Sequence, residues 1–184
     1  MPPVAKISKQ DILEIAFEIL KKENSAAITA RRLAKELNCS THPIYQCFEN
    51  MDDLYRELRP IASRYYRQLV EKNADKEESP WLALGISYVQ MAYRQKSIYR
   101  FLYVEQVKTI TNIAEYFGKP NSVEFRTEIA NDADWRNRSE EEKAELHLMV
   151  KIFCRGLSSI ANSCEKEPDK DQIRRLLQRC YQLF

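Results

Sequence analysis

The sequence predicts an all-α protein, and three observations support that fold class. Apolar residues recur at spacings of three and four along most of the 184-residue chain, which is the period of a helix with one buried face. Hydrophobic residues make up 44% of the chain, enough for a substantial core. Only three glycines occur, Gly85, Gly118 and Gly156, and they are too far apart to form a phosphate-binding loop, which excludes P-loop and dinucleotide-binding proteins.

The first helix is predicted from Ser8 to about Lys22. Ser8 and Asp11 have the spacing of a capping box, in which each side chain accepts a hydrogen bond from the backbone of the other residue. Lys6 and Lys9 flank the start of the helix, and two roles are open for them: solvated surface charges, or contacts to nucleic-acid phosphates. The apolar face consists of Ile12, Ile15, Ala16, Ile19 and Leu20.

Residues 28–48 predict two short helices joined by a tight turn. The first runs from Thr29 to about Leu37 and the second from Ser40 to about Cys47, with Thr29 and Ser40 as the expected N-caps. Asn38 separates them, because asparagine is the non-glycine residue that most readily takes the left-handed conformation that ends a helix. This layout is typical of a helix-turn-helix, whose second helix enters the major groove of DNA.

A long helix is predicted next, from about residue 51 to residue 74. Asn50 is its expected N-cap, and Asp53 places negative charge at the positive end of the helix dipole. Pro60 lies inside the helix and removes one backbone hydrogen bond, so a kink or break is expected there. The apolar stripe consists of Leu54, Leu58, Ile61, Tyr65 and Leu69.

The middle of the chain predicts several shorter helices separated by polar segments. Their expected bounds are Ser79 to about Gln95, Ser97 to Val107, about Thr109 to Phe117, and a short helix near Val123–Ile129. Pro120 and Gly118 favour a loop over the remainder of residues 118–137.

Two apolar helices are predicted at the end of the chain, from Ser139 to about Cys164 and from about Asp169 to Leu183. The first has a heptad-like seam suited to packing against another helix. The pair either closes a monomer core or forms a homodimer face, and both interpretations remain open. The residues of the expected dimer face are Leu146, Val150, Phe153, Leu157, Ile160, Ile173, Leu176, Leu177 and Cys180.

The composition limits the class of protein further. The net charge of +2 excludes a histone-like protein that binds DNA through bulk charge. No signal peptide and no apolar run long enough to span a bilayer is evident, so we expect a cytoplasmic protein without membrane contact. The five cysteines include no CxxC pair. They are expected to be reduced, and a redox-sensing thiol is the less favoured alternative to buried structural cysteines.

A series of short motifs in the first third of the chain has the order and spacing of a known family. These motifs are Ala16-Phe17-Glu18-Ile19-Leu20, Ile28-Thr29, Leu33-Ala34-Lys35-Glu36, Ser40, Ile44-Tyr45-x-x-Phe48 and Asp52-Asp53-Leu54. The stretch from about Ile7 to Leu58 thereby resembles the DNA-binding domain of the tetracycline-repressor (TetR/AcrR) family of bacterial regulators. The predicted domains are residues 1–50 for DNA binding and 51–184 for effector binding and dimerisation, with the helix at about 51–74 as connector.

The resemblance implies a role for individual residues of the helix-turn-helix. Thr29 and Arg31 would contact phosphates, while Gln46 would read adenine and Tyr45 would hold a phosphate. Ile44 and Phe48 would be core. The groove-facing set implied by the family pattern is Thr41, His42, Pro43, Tyr45 and Gln46, with Ser40 at its edge.

Three departures from the family pattern stand in this sequence. Asn24 and Asn38 occupy positions where the family usually has glycine, and both are expected to take the turn conformation. Met51 stands where a phosphate-binding lysine is common. His42-Pro43 replaces small residues on the recognition helix, so the operator sequence does not follow by analogy.

The resemblance implies a repressor that dimerises on a near-palindromic operator and is released by a small-molecule effector, with no cofactor and no metal. An apolar or aromatic effector is favoured, because no charged cluster is evident in the sequence. Six aromatic residues lie on the helices that line the ligand pocket in such proteins, although aromatic residues at helical spacing are more often ordinary core residues. They are Trp81, Tyr88, Phe101, Tyr103, Phe117 and Phe153.

Two other classes of function are weighed against the regulator. Enzymatic catalysis is disfavoured, because His42 and His147 are the only histidines and no HxxxH, HExxH or GxSxG motif occurs. A helical protein–protein interaction module is the main alternative, in which residues 28–48 are an αα-hairpin without specific DNA binding.

Overall fold

The structure is a computed structural model, and it describes residues 7–75, 79–105 and 137–183. These residues are helical, with no strand among them, which confirms the all-α prediction for the described part of the chain. None of the described helices is long and apolar enough to cross a membrane. The helices are α1 Lys9–Lys22, α2 Ala30–Glu36, α3 His42–Cys47, α4 Met51–Asn73, α5 Pro80–Arg94, α6 Lys96–Tyr103, α7 Glu140–Ser163 and α8 Lys170–Tyr181, with a 3-10 turn at Ser25–Ala27.

The described residues fall into two compact units. The amino-terminal unit contains residues 7–67 and 97–105, so it holds α1 to α3, most of α4, and α6. The carboxy-terminal unit contains residues 68–96 and 137–183, with α5, α7 and α8. The predicted boundary at residue 50 stays a prediction. The helices expected at about Thr109–Phe117 and Val123–Ile129 lie outside the described residues.

Helix starts follow the predicted caps closely. Ser8 Oγ accepts from the Asp11 N–H at 3.1 Å while the Asp11 carboxylate accepts from the Ser8 N–H at 2.8 Å, which confirms the capping box of α1. The Asn50 side chain accepts from the Asp53 N–H at 2.9 Å at the start of α4. A second capping box starts α7, where Ser139 and Glu142 exchange the same two bonds. Local sequence therefore determines where these helices begin.

Helix α4 runs without interruption through Pro60, so the break considered there is absent. The carbonyl that loses its donor belongs to Arg56, and since both Arg56 and Pro60 are exposed, water can replace the missing bond. The predicted apolar stripe is also corrected: Ile61, Tyr65 and Leu69 are only half-buried. The buried row keeps a strict spacing of four and consists of Leu54, Leu58, Ala62, Tyr66 and Val70.

The carboxy-terminal unit is built around a core between α5, α7 and α8. Gly85 allows a close approach there, because a Cβ added to it would lie 3.0 Å from Leu177 Cδ1 and 3.6 Å from Cys154 Sγ. The buried row of α7 differs from the predicted seam, since Cys154 and Ala161 point inward while Ile160 is 65% exposed. The core residues are Trp81, Leu82, Ile86, Val89, Leu146, Val150, Cys154, Ala161, Ile173 and Leu177.

Candidate nucleic-acid interface

Helix α2 begins at the predicted cap. Thr29 Oγ1 accepts a hydrogen bond from the Arg32 N–H at 3.1 Å, and Thr29 itself has extended backbone. Ala30, Leu33 and Ala34 are buried, so the helix packs through one face. The opposite face presents Arg31, which is exposed and has no ion pair among the described residues. An unpaired guanidinium at the start of a short helix is available to a phosphate.

The neighbouring Arg32 has a different environment. Its guanidinium bonds to Glu36 at 2.7 Å and to Glu23 at 2.8 Å. These two carboxylates raise the pKa of Arg32, with the bond to Glu36 as the largest cause. Arg32 thus holds α2 to the end of α1, and of the two adjacent arginines Arg31 is the one that α2 presents outward.

The turn between α2 and α3 confirms the expectation for Asn38. Asn38 has φ 50°, in the left-handed region. The N–H of Cys39 donates to Ala34 O at 2.9 Å, and the N–H of Asn38 donates to Lys35 O at 3.2 Å. These two bonds form a Schellman motif, which satisfies the last carbonyls of α2 and reverses the chain. The angle at which α3 leaves the turn is therefore fixed by backbone bonds.

Helix α3 starts one residue later than predicted. The N-cap is Thr41, not Ser40, because the Thr41 carbonyl accepts the first helical bonds from Ile44 and Tyr45 at 3.2 and 3.3 Å. Thr41 makes no side-chain cap bond. Ser40 Oγ instead accepts from the His42 N–H at 3.4 Å, a long contact. Pro43 lies in the first turn, where a missing N–H costs little.

Helix α3 has one buried side and one exposed side. Ile44 and Phe48 are 1% and 2% exposed and anchor it to the core. Tyr45 is 55% exposed, which is unusual for so large an aromatic residue in a short helix, and His42 and Gln46 are exposed beside it. The structure thus brings hydroxyl, amide and imidazole groups together on the outer side of α3, while Thr41 and Pro43 are half-buried at its start.

Of the two lysines predicted to flank the interface, only Lys9 lies among the described residues. Lys9 forms an ion pair with Glu57, and its ammonium lies 5.0 Å from the centroid of the Phe48 ring. Its charge is therefore partly engaged within the protein, and a phosphate contact by Lys9 stays a prediction. Lys6 lies outside the described residues.

The segment before α2 is held by a residue that the sequence analysis did not identify. Tyr55 on α4 lies with its hydroxyl 3.1 Å from Ser25 O and 3.0 Å from Ile28 O, to which it donates. The expectation for Asn24 was wrong: it is extended, with φ −167°, and its side chain accepts from the Ala27 N–H at 3.1 Å. Asn24 therefore starts the 3-10 turn and does not end α1 in the left-handed conformation. No periodicity in the sequence indicates the two contacts of Tyr55, because they join residues about thirty positions apart.

Helix α6 packs within the same unit as the helix-turn-helix. Arg59 on α4 donates to Phe101 O at 2.6 Å, and its guanidinium carbon lies 4.7 Å from the Phe101 ring centroid. Burial lowers the pKa of Arg59. Ser97 Oγ donates to Glu23 O at 2.5 Å, at the end of α1. Hydrogen bonds from Arg59 and Ser97, together with contacts to the aromatic rings of α6, thus join α6 to α1 and α4.

The predicted pocket aromatics are divided between the two units. Phe101 and Tyr103 belong to the amino-terminal unit, where Tyr103 packs at 5.9 Å against Tyr66. In the carboxy-terminal unit Trp81 stacks on Tyr181 with centroids 4.3 Å apart, and Tyr88 and Phe153 pack partly buried against the core. Phe117 lies outside the described residues. Their role in ligand binding stays a prediction.

The predicted dimer residues divide by exposure. Ile160 and Leu176 are 65% and 39% exposed and have surface to offer a partner. Phe153 and Leu157 are partly buried. The others are buried inside the carboxy-terminal unit and contact α5, α7 or α8 of the same chain: Leu146, Val150, Ile173, Leu177 and Cys180. Among the described residues no cluster of three metal-ligating side chains occurs.

Comparison with known proteins shows similarity of fold. No protein-family model and no curated protein matches the sequence. The crystal structure of a TetR-family transcriptional regulator from Haemophilus influenzae aligns over 95% of this chain and 94% of its own, with a TM-score of 0.59 and 17% identity. A TetR/AcrR-family transcriptional regulator from Aquifex aeolicus aligns over 95% and 98%, with a TM-score of 0.52 and 18% identity. The chain therefore has the fold of TetR-family transcriptional regulators.

Proposed function

We propose that this protein is a DNA-binding transcriptional regulator, a repressor that leaves its operator when a small-molecule effector binds. The observation that carries the proposal is α3 itself: Ile44 and Phe48 anchor it, a Schellman turn at Asn38 fixes its direction, and its outer side exposes Tyr45 and Gln46. A helix held in this way by its neighbours is what major-groove recognition requires. The similarity of fold to two transcriptional regulators supports it.

Each exposed group has a chemical role that fits DNA. The Gln46 amide offers one donor and one acceptor, the pattern that pairs with N7 and N6 of adenine. The Tyr45 hydroxyl and the Arg31 guanidinium suit phosphate oxygens, which position the helix without reading sequence. Met51 replaces a frequent phosphate-binding lysine, so few phosphates are contacted per protomer. Specific binding then depends on two protomers acting together.

A homodimer would use the exposed outer side of α7 and the adjoining side of α8. Residues 148, 152 and 160 follow helical spacing on α7 and fall on the arc opposite its buried row. Such a row of large exposed apolar side chains marks an interaction surface in a globular protein. The dimer would place two α3 helices about 34 Å apart, one turn of DNA. The exposed apolar residues of the two helices are Leu148, Ile152, Ile160 and Leu176.

Operator binding is tested by selecting genomic DNA fragments on the purified protein and measuring their affinity over a range of salt concentrations. Arg31→Ala should reduce the slope of log affinity against log salt by about 0.9 for each phosphate that the guanidinium neutralises. Gln46→Ala should cost about 1–3 kcal/mol at one base position and leave the slope unchanged. Arg67→Ala removes an exposed cation of α4 and serves as the control.

The result that would reject the proposal is equally specific. If no fragment is enriched even at low salt, where phosphate contacts are strongest, the helix-turn-helix is an αα-hairpin of an interaction module. An equal decrease of affinity in the Arg31 and Arg67 variants would show bulk charge attraction rather than a defined interface. As a regulator of this kind the protein would act in the cytoplasm, where its operator lies.

Dimerisation is tested by sedimentation velocity. Ile160→Asp places a charge on the most exposed of the four apolar residues of the proposed face and should give a monomer with unchanged helicity and weak operator binding. Leu183→Asp changes a residue that is 77% exposed near the end of the chain and should leave the dimer intact. A wild-type monomer that binds operator DNA at full affinity would refute the dimeric arrangement. Indifference to a few base pairs inserted between the half-sites would refute it as well.

A further inference from the structure

Helices α7 and α8 each present two exposed charges of one sign, one turn apart. On α7 these are Glu141 and Glu145, the acidic pair, and on α8 they are Arg175 and Arg179, the basic pair. None of the four side chains has an ion pair or a hydrogen bond among the described residues. Both pairs lie in the carboxy-terminal unit.

Neighbouring charges on the same helices are paired within the chain. Glu140 bonds to Lys143 at 3.1 Å on α7, and Arg174 pairs with Asp171 on α8. Opposite charges at spacings of three or four stabilise a helix, whereas like charges one turn apart destabilise it. The acidic pair and the basic pair are therefore unfavourable in the isolated chain, and opposite charge from outside would relieve each of them.

The helix dipole explains only half of this arrangement. Glu141 lies in the first turn of α7 and Arg179 in the last turn of α8, where the dipole favours these signs of charge. Glu145 lies one turn further into α7, and Arg175 lies one turn before the end of α8. The dipole acts within the terminal turns, so one member of each pair needs another explanation.

The two pairs adjoin the apolar dimer face. At 100° per residue, the acidic pair shares an arc of about 60° on α7 with Leu148 and Ile152, on the side opposite the buried row. The basic pair lies opposite the buried row of α8 and beside Leu176, which is exposed. The charges thus extend the proposed apolar surface on both helices.

One chain therefore carries both halves of a complementary surface. Two carboxylates four residues apart match two guanidinium groups four residues apart, and guanidinium–carboxylate bonds are among the stronger polar contacts. A two-fold dimer brings each patch of one copy to the other patch of the second copy, twice. A nucleic acid or another acidic partner would neutralise the basic pair and leave the acidic pair unexplained.

We propose that the acidic pair of one protomer binds the basic pair of a second copy of this chain, and that this charge complementarity selects the dimer partner. The inference rests on the proposed function for the existence of the dimer. The apolar face supplies attraction that has little direction. Charges at its margin admit a copy with opposite charges and repel a chain that has like charges at these positions.

The test is sedimentation velocity on two charge-reversal variants. One carries Glu141→Arg with Glu145→Arg, and the other carries Arg175→Glu with Arg179→Glu. Each variant alone should raise the dissociation constant of the dimer at least about a hundredfold, because like charges then meet. An equimolar mixture should recover the dimer, which also shows that both variants fold. Wild-type affinity in either variant alone, or a mixture that stays monomeric, overturns the proposal.

A control with the same change in net charge separates pairing from bulk charge. Arg64→Glu with Arg67→Glu reverses two exposed arginines of α4 and should leave the dissociation constant unchanged. An equal loss of dimer in this control overturns the proposal. A chain with all four reversals at the proposed interface should dimerise with itself and not with the wild-type chain. Free exchange between those two chains contradicts selection by charge.

The wild-type protein distinguishes failure of this inference from failure of the proposed function. A wild-type dimer that is insensitive to the reversals rejects the charge pairing alone and keeps the apolar face. A wild-type monomer rejects the proposed dimer and the pairing with it. The wild-type dissociation constant should also rise between about 0.05 and about 0.5 M salt, since salt screens exposed charges. A constant that does not rise counts against the ion pairs.

Discussion

Replacing Tyr55 by phenylalanine should loosen the segment that leads into the helix-turn-helix. The hydroxyl lies 3.1 Å from Ser25 O and 3.0 Å from Ile28 O, and it is the only group that Tyr55→Phe removes. A net hydrogen bond contributes about 1 kcal/mol, and leaving a partly buried carbonyl unsatisfied adds up to about 2 kcal/mol. The aromatic ring and its edge contact to Phe101, with centroids 6.0 Å apart, are kept. We therefore expect a decrease of about 1–2 kcal/mol in the free energy of unfolding.

The same substitution should alter the alkaline stability of the protein. Burial, and next the negative charges of Glu105 and Asp52, raise the pKa of Tyr55 in the folded state. The folded protein then holds the tyrosine proton more tightly than the unfolded chain, so this contribution is complete below about pH 10 and is lost as pH rises through the folded pKa. The difference between wild type and Tyr55→Phe should therefore shrink above about pH 10.

Urea titration of helical circular dichroism measures both effects, with Tyr65→Phe as the matched control. Tyr65 lies on the same helix with its ring against Phe17, and its hydroxyl has no hydrogen bond among the described residues. Its removal should change the free energy of unfolding by less than about 0.5 kcal/mol. Equal effects of the two substitutions, or a Tyr55→Phe difference that grows with alkalinity, would refute the reasoning.

Four further substitutions test local contacts by urea or thermal unfolding. Thr29→Ala should cost about 1 kcal/mol because it removes the cap of α2, and an equal cost in Thr29→Ser would argue against capping. Gly156→Ala, in a monomeric background, should stabilise by about 0.5–1 kcal/mol, since its methyl meets no atom within 4 Å. Gly85→Ala should not stabilise the protein, because the added Cβ would lie 3.0 Å from Leu177 Cδ1. A larger free energy of unfolding for Gly85→Ala than for Gly156→Ala would contradict this packing. Asn162→Ala should cost about 1–3 kcal/mol, because the buried Asn162 amide donates to Ala92 O at 2.9 Å and to Lys96 O at 3.3 Å, and a neutral result would contradict these two bonds.

Features determined by neighbouring residues were predictable from the sequence. The predicted caps at Ser8, Thr29 and Asn50 are present, because a cap depends on side chains within three positions of the helix start. The left-handed turn at Asn38 follows from the same local chemistry. The predictions for Ser40 and Asn24 were wrong, because a neighbouring position competes for the same role: Thr41 starts α3 and Glu23 ends α1.

Features determined by packing partners were not predictable. The buried rows of α4 and α7 differ from the predicted stripes because both helices carry apolar residues around more than half of their circumference, and periodicity alone does not choose among adjacent rows. Tyr65 and Tyr66 illustrate the ambiguity, since only the structure shows that Tyr66 is the buried one. The contacts of Tyr55 and Arg59 join distant segments, and no local pattern encodes them.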